Sequence, residues 1–310
     1  MAYARRKPRY TRKRRYVRKS RSARPSRYTG RTRRSAPKRQ MSRKRILNIT
    51  SRKKRDTMLN WSNTSPTGAA KVPGISPYVT NGSRIGWVVY AATARDLNDV
   101  NGGANVVIDE ADRTATTCYM RGLSEHLKFQ TSSGVPWLHR RIAFCVRGVT
   151  VFHQPQVSDA PITVPFNRAE TSNGWTRSWI DMDINNAPLS YIAQRGLLFR
   201  GQEGADWTDI MSAQVDTRRV DLKFDKVYRI SSGNANGVFR ERKLWHPMNK
   251  NLVYDDDESG AGENGGTFSV NDKRGMGDYF IVDIFQPGTG ATATDYLQVT
   301  SATSLYWHEK

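Results

Sequence analysis

No carboxylate occurs in the first 55 of the chain's 310 residues; the first is Asp56. The chain holds only two cysteines, Cys118 and Cys145, so a disulfide framework is excluded and a reducing compartment is expected. No apolar run approaches the roughly 20 residues that a membrane-spanning helix needs, and no apolar segment follows the basic N-terminus as a secretory signal would require. A soluble intracellular protein without a membrane partner is the expectation. Motifs for catalysis are missing as well: there is no G-x-S-x-G, no H-E-x-x-H and no Walker sequence. No enzymatic activity and no cofactor are expected.

The chain is instead rich in positive charge, placed at one end. Residues 1–55 carry 25 of the 50 Lys and Arg; the other 255 residues carry 25 against 28 Asp and Glu. The formal charge of +22 therefore comes from an N-terminal arm on a nearly neutral body. Basic clusters at Arg5-Arg6-Lys7, Arg9, Arg12-Lys13-Arg14-Arg15, Arg18-Lys19, Arg31, Arg33-Arg34, Arg43-Lys44-Arg45 and Arg52-Lys53-Lys54-Arg55 are separated by Ser, Thr, Pro and Tyr. Such a segment buries too little apolar surface to offset chain entropy, so residues 1–55 are expected to be disordered when free. Guanidinium and ammonium groups neutralise phosphates and release counterions, which gives salt-sensitive binding without sequence preference. Tyr10 and Tyr16, with Tyr3 and Tyr28, lie among these charges where they can stack on unpaired bases. Arg12–Arg15 and Arg52–Arg55 also have the texture of nuclear-import signals. The simpler alternative, a solvated tail without a ligand, leaves this density of like charge without a counter-polyanion.

Residues 56–80 read as a hinge broken by Pro66, Gly68, Pro73, Gly74 and Pro77, and residues 81–310 as one β-rich domain. Strands are expected at Arg84–Ala92, Thr116–Gln130, Arg141–His153 (with a bulge at Gly148), Tyr191–Arg200, Arg218–Ile230, Gly237–His246, Asp278–Gln286 and Tyr296–Trp307. Gly233–Asn236 reads as a hairpin turn and Asp206–Gln214 as the only helix. Eight antiparallel strands with long loops suit an all-β jelly roll, although strand number alone leaves a closed barrel open.

Other patterns carry less. Gly260, Gly262 and Gly265 spell G-x-G-x-x-G, but beside Asp255-Asp256-Asp257-Glu258 and without a βαβ setting this is no dinucleotide site. Asp255, Asp257 and Ser259 begin like an EF-hand, yet position 12 is Gly266, so a mobile solvated loop is preferred over a calcium site. Cys118 and His126, like Cys145 and His153, are eight apart, about 26 Å on a strand, which favours core cysteines and surface histidines over zinc.

The opening texture, the junction Lys44-Arg45-Ile46-Leu47-Asn48-Ile49-Thr50-Ser51-Arg52-Lys53-Lys54-Arg55-Asp56-Thr57-Met58 and the terminal Leu305-Tyr306-Trp307 resemble the capsid proteins of small circular single-stranded DNA viruses. The likeness is nearest to the genomovirus (gemycircularvirus-like) group, which is related to the geminiviruses. The resemblance implies a jelly roll, an icosahedral shell, packaging of a circular single-stranded DNA genome, nuclear entry through host import receptors, and location in the virion and the host nucleus. The cysteine/histidine cluster of geminivirus coat proteins is not recognisable here. His246-Pro247-Met248 does not supply the His-hydrophobe-His motif of the replication initiator of such viruses. Scale agrees with the capsid expectation: an arm of 55 residues reaches roughly 180 Å, and about 60 copies bring roughly 1,500 positive charges, a match for about 1.5 kb of single strand. The alternative of another class is a cellular nucleic-acid-binding protein, ribosomal or chaperone-like; a nuclease with a basic tether ranks third.

Overall fold

The computed structural model describes residues 41–159, 165–185 and 187–310. Residues 44–310 form a compact unit. In chain order its elements are α1 (Arg43–Thr50), β1 (Arg52–Thr64), β2 (Ala70–Ile75), β3 (Tyr78–Asn81), β4 (Gly86–Ala91), β5 (Thr117–Thr131), β6 (Trp137–Val146), β7 (Glu170–Thr171) and β8 (Gly174–Trp179). There follow α2 (Pro188–Leu198), β9 (Asp221–Ile230), β10 (Phe239–Val253), β11 (Asp257–Ser259), β12 (Gly262–Asn264), β13 (Asp278–Pro287) and β14 (Tyr296–Glu309). The fold is all-β in class, with mainly antiparallel sheets; β1 and β8 pair in parallel.

A larger sheet runs β10-β5-β14-β1-β8-β7, with β2 on β1 and β3 on β14; a smaller one runs β4-β13-β6-β9. Their inner faces share two apolar clusters. One joins Met58, Met120, Leu123, Leu305 and Trp307 of the larger sheet to Tyr90, Ala143, Tyr279 and Ile281 of the smaller. The other joins Leu127, Phe129, Leu297 and Val299 to Val88, Trp137 and Phe285. The outer face of the smaller sheet is covered too: Trp87, Val89, Phe144, Phe280 and Val282 pack against Phe152, Phe166, Leu198, Phe199 and Ile210. That double coverage explains why Tyr279–Val282 and Ile284–Phe285 of β13 are apolar on both faces, a pattern expected of a strand buried on both sides.

Fourteen strands are present among the described residues rather than eight, and several local expectations are corrected. Segment 56–80 is not a hinge: β1 already starts at Arg52 and alternates in burial from Lys53 to Leu59, with Lys54, Asp56 and Met58 buried. Residues 52–55 therefore belong to the sheet and not to an unstructured arm; charge density hid the period-2 pattern there. Tyr191–Arg200 is mostly helical, as α2. Pro188 sits in its first turn, where no N–H is missed, and Ser190, Gln194 and Leu198 are buried at helical spacing. Asp159 accepts the N–H groups of Leu189 (2.9 Å) and Ser190 (2.8 Å), supplying the cap that Ala187 lacks. Asp206–Gln214 forms turns instead of a helix, because Asp206 and Asp209 bind nearby N–H groups of Gln202 and Met211. Gly233–Asn236 connects β9 to β10, which lie in different sheets, so it is a crossing and not a hairpin. β6 stops at Val146, and Gly148 (φ +80°) sits in a turn beyond it rather than in a bulge.

Between the sheets lies a buried ionic cluster. Arg141 (β6) binds Asp283 (β13) through Nε at 2.7 Å and a terminal nitrogen at 2.9 Å, and also binds Glu125 (β5). Arg177 (β8) binds Glu125 at 3.0 Å and Asp283 at 2.7 Å. All four side chains have no exposure to water. Burial would raise both carboxyls, but Arg141 and Arg177 outweigh it and hold Glu125 below, and Asp283 well below, the usual carboxylate range. His139, 2.8 Å from Asp283, and His246 are each brought down to about 4, chiefly by burial. Elsewhere, burial pushes Asp181 up to about 6 and, with nearby Asp96 and Asp112, Glu170 up to about 7.

Two outcomes follow from these charges. Asp283→Asn leaves Arg141 and Arg177 under-neutralised in the interior and should cost about 3–5 kcal/mol in urea unfolding. Between pH 7 and 5 the histidines, which bind protons only when unfolded, are offset by Asp181 and Glu170, which bind them on folding. Stability should stay nearly flat there. Below about pH 4.5 the unfolded forms of Glu125 and Asp283 take up protons that the native forms refuse, so chemical denaturation across pH should show a steep loss there.

Candidate nucleic-acid interface

Arg5, Arg6, Lys7, Arg9, Tyr10, Arg12, Lys13, Arg14, Arg15, Tyr16, Arg18, Lys19, Arg31, Arg33 and Arg34 lie outside the described residues. Arg43 and Lys44 open α1, and Arg45 is exposed on it. The cluster Arg52–Arg55 is split by the strand it occupies. Successive side chains of a strand point to opposite faces, so Lys53 and Arg55 face outward while Lys54 turns into the protein. The Lys54 ammonium donates to the carbonyls of Asp109 (2.6 Å), Asp112 (2.9 Å) and Val107 (3.3 Å) and stands 3.9 Å from Glu309. It is thus fully occupied inside the fold, and the expectation that Arg52–Arg55 is displayed as a linear import signal is corrected on that ground.

The outward residues of β1 open a wider surface. β1 pairs with β14 in the register Lys53↔His308 and Arg55↔Tyr306, and β14 with β5 in the register His308↔Tyr119 and Tyr306↔Gly122. The Arg55 guanidinium lies 5.4 Å from the centre of the Tyr306 ring and donates to Ser304 at 3.4 Å. Lys53 donates to the carbonyl of Ser51 at 2.9 Å and to that of Asn48, which ties α1 to the start of the strand. The Tyr119 and His308 rings are 6.0 Å apart, and Arg121 donates to Asn249. His308 is held below its ordinary value, first by partial burial and then by Lys53 and Arg121. Its ring is therefore neutral at pH 7 and can serve as a flat surface. The sequence did not reveal Tyr119, Arg121, Tyr306 and His308 as site residues, since only the register brings them beside Lys53 and Arg55.

The other chemical groupings are internally satisfied. The Glu125–Arg141–Arg177–Asp283 cluster with His139 has the residue types of acid–base catalysis, but it is closed to water and every charge has a partner. In the acidic loop, Asp256 is bound at two points by Arg113 (2.6 and 2.9 Å), whose guanidinium also lies 3.9 Å from the Tyr254 ring centre; Asp257–Ser259 and Gly262–Asn264 form a small hairpin. No group of three or more metal-ligating side chains occurs among the described residues. Cys118 and Cys145 are buried. His153 is also buried, 2.9 Å from Asp278, and not a surface histidine as expected. A cleft of about 770 Å³ lies between Arg200 and Arg219, where Asp206, Asp209 and Asp216 already accept local backbone N–H groups. No described helix is long and apolar enough to cross a membrane.

Neither a protein-family description nor a curated protein matches this chain, so its function is argued from the arm and the sheet surface at its root.

Proposed function

We propose that the protein is a viral capsid subunit. Its body builds a closed shell from many copies, and its basic arm neutralises a packaged single-stranded DNA genome and carries the nuclear-import signal. The observation that carries this reading is the charge asymmetry, +22 overall with a near-neutral body. A neutral body tolerates close packing against copies of itself, whereas a dense basic arm needs a polyanion.

The strand order supports the finer reading of the body as a jelly roll. The long strands β1, β4, β5, β6, β9, β10, β13 and β14 fall into two facing layers, β10-β5-β14-β1 and β4-β13-β6-β9. Every sequential step among them crosses between layers except β6 to β9, and strands far apart in sequence end as neighbours. That order is the one expected of two Greek keys wrapped into a double-sheet jelly roll, and it supports this reading. The additional strands are short extensions at the edges and loops.

Electron microscopy of the purified chain with single-stranded DNA at moderate salt tests the reading. Uniform closed particles are expected; monomers or small oligomers across a range of salt and pH would favour the cellular nucleic-acid-binding alternative. Removing residues 1–40 should remove most of the salt-sensitive DNA binding and leave the melting temperature unchanged. Removing residues 1–55 should also lower it, because that cut takes Lys54 and the Arg52–Arg55 half of the β1–β14 ladder. A reporter fused to residues 1–40 should enter the nucleus, while the folded body without residues 1–40 should stay outside, because Lys54 is held inside it.

A further inference from the structure

The outward face of the larger sheet extends well past the root of the arm. β5 pairs with β10 in the register Gly122↔Pro247, Ser124↔Trp245, His126↔Lys243, Lys128↔Glu241 and Gln130↔Phe239. Trp245 is half exposed and Phe239 is 62% exposed, both on an edge strand that no other strand among the described residues flanks. The Trp245 ring stands 5.9 Å from that of Tyr306. It reaches there because position 122 is glycine: a Cβ at Gly122 (φ +150°) would come within 2.7 Å of the indole and 2.5 Å of the His246 carbonyl. Arg55, Tyr306 and Gly122 form one row; Trp245, opposite Ser124 in the neighbouring row, leans over Gly122 to Tyr306, and Lys53, His308 and Tyr119 form the row on the other side. Two residues along a strand separate such rows by about 6.8 Å, comparable to the step of one extended nucleotide. Around them stand Arg121, Lys128 and Lys243, all exposed; the outward carboxylate on β10 is Glu241, which faces His126 at 3.1 Å. Ser124, Thr300, Ala302 and Ser304 floor the middle of the face with small side chains.

We propose that this face, resting on the nucleic-acid reading above, is a second binding surface that selects single strands by stacking unpaired bases on Trp245, Tyr306, Tyr119 and His308. The arm's affinity comes chiefly from phosphate charge, which single and double strands both offer, with four scattered tyrosines as its only aromatic groups. A flat aromatic face ringed by cations engages bases only when they are not hidden in a duplex. The surface therefore adds single-strand preference to an arm whose binding is dominated by charge.

The test is fluorescence anisotropy with the full-length chain and three labelled probes: a 20-mer of thymidines, a duplex of equal length, and an abasic 20-mer. Salt is set high enough to weaken the arm's contacts. The full chain should prefer the thymidine strand over both other probes, and Trp245→Ala/Tyr306→Ala should lose roughly tenfold affinity for it alone. The slope of affinity against salt should not change, since no charge is removed. Trp245→Gln and Trp245→Phe guard against a folding defect: preference should be lost in the first and kept in the second. Equal preference in those two variants overturns the proposal. Salt-sensitive binding of all probes, unaffected by the double substitution, overturns it and leaves the packaging reading standing. Absence of salt-sensitive binding to any probe overturns both.

Discussion

Arg141, Arg177, Glu125 and Asp283 hold the two sheets to one arrangement. Each charge is shut away from water, and each is neutralised only by groups on other strands: β5 and β8 on one side, β6 and β13 on the other. Apolar contacts between facing sheets tolerate sliding, because hydrophobic attraction has little direction. A network of charge-assisted hydrogen bonds does not, since a shift of one residue turns a carboxylate from its arginine and leaves both unsatisfied. Arg177 adds stacking on Tyr90 and Trp179 at 4.3 and 4.0 Å, so even its planar faces are occupied. Thr303 of β14 also donates to Glu125 at 3.4 Å, and on the opposite side of the larger sheet β14 sets Tyr306 beside Arg55 and His308 beside Tyr119.

The legible parts of the sequence were those where one signal dominated. Alternation in Tyr296–Trp307 and the doubly apolar run Asp278–Gln286 correspond closely to β14 and β13. The near-neutrality of the body is a matter of counting. Short apolar runs were ambiguous: Leu197-Leu198-Phe199 fits a strand as well as the end of a helix, and only Pro188 and the Ser190–Gln194–Leu198 spacing decide between them. β1 was hidden for the opposite reason. In Arg52–Met58 the buried positions are Lys54, Asp56 and Met58, and a hydrophobicity pattern cannot register a buried lysine or aspartate whose partners, Arg95 for Asp56 and backbone carbonyls for Lys54, lie dozens of residues away.

The aromatic surface was hidden in a third way. Tyr119, Trp245 and Tyr306 are far apart in sequence, and each alone looks like an ordinary strand residue with its ring to the core. Their common orientation depends on two irregularities, between Pro247 and Lys250 on β10 and between Tyr306 and Trp307 on β14, each next to the position paired with Gly122. Such register shifts re-aim side chains locally. Only the strand pairing shows which side each ring takes.

The anchoring of β1 has a mechanical consequence. From Arg52 to Met58 the strand is paired residue by residue with β14, and Lys54 is pegged beneath it by three carbonyls. Tension arriving along the strand axis from a chain segment gripping a long polymer is shared by seven rungs at once, in shear. Tension arriving sideways would open the same rungs one by one. The attachment is therefore strong in one direction and weak in another, and a polymer condensing inside a closed container would load it differently from one being withdrawn.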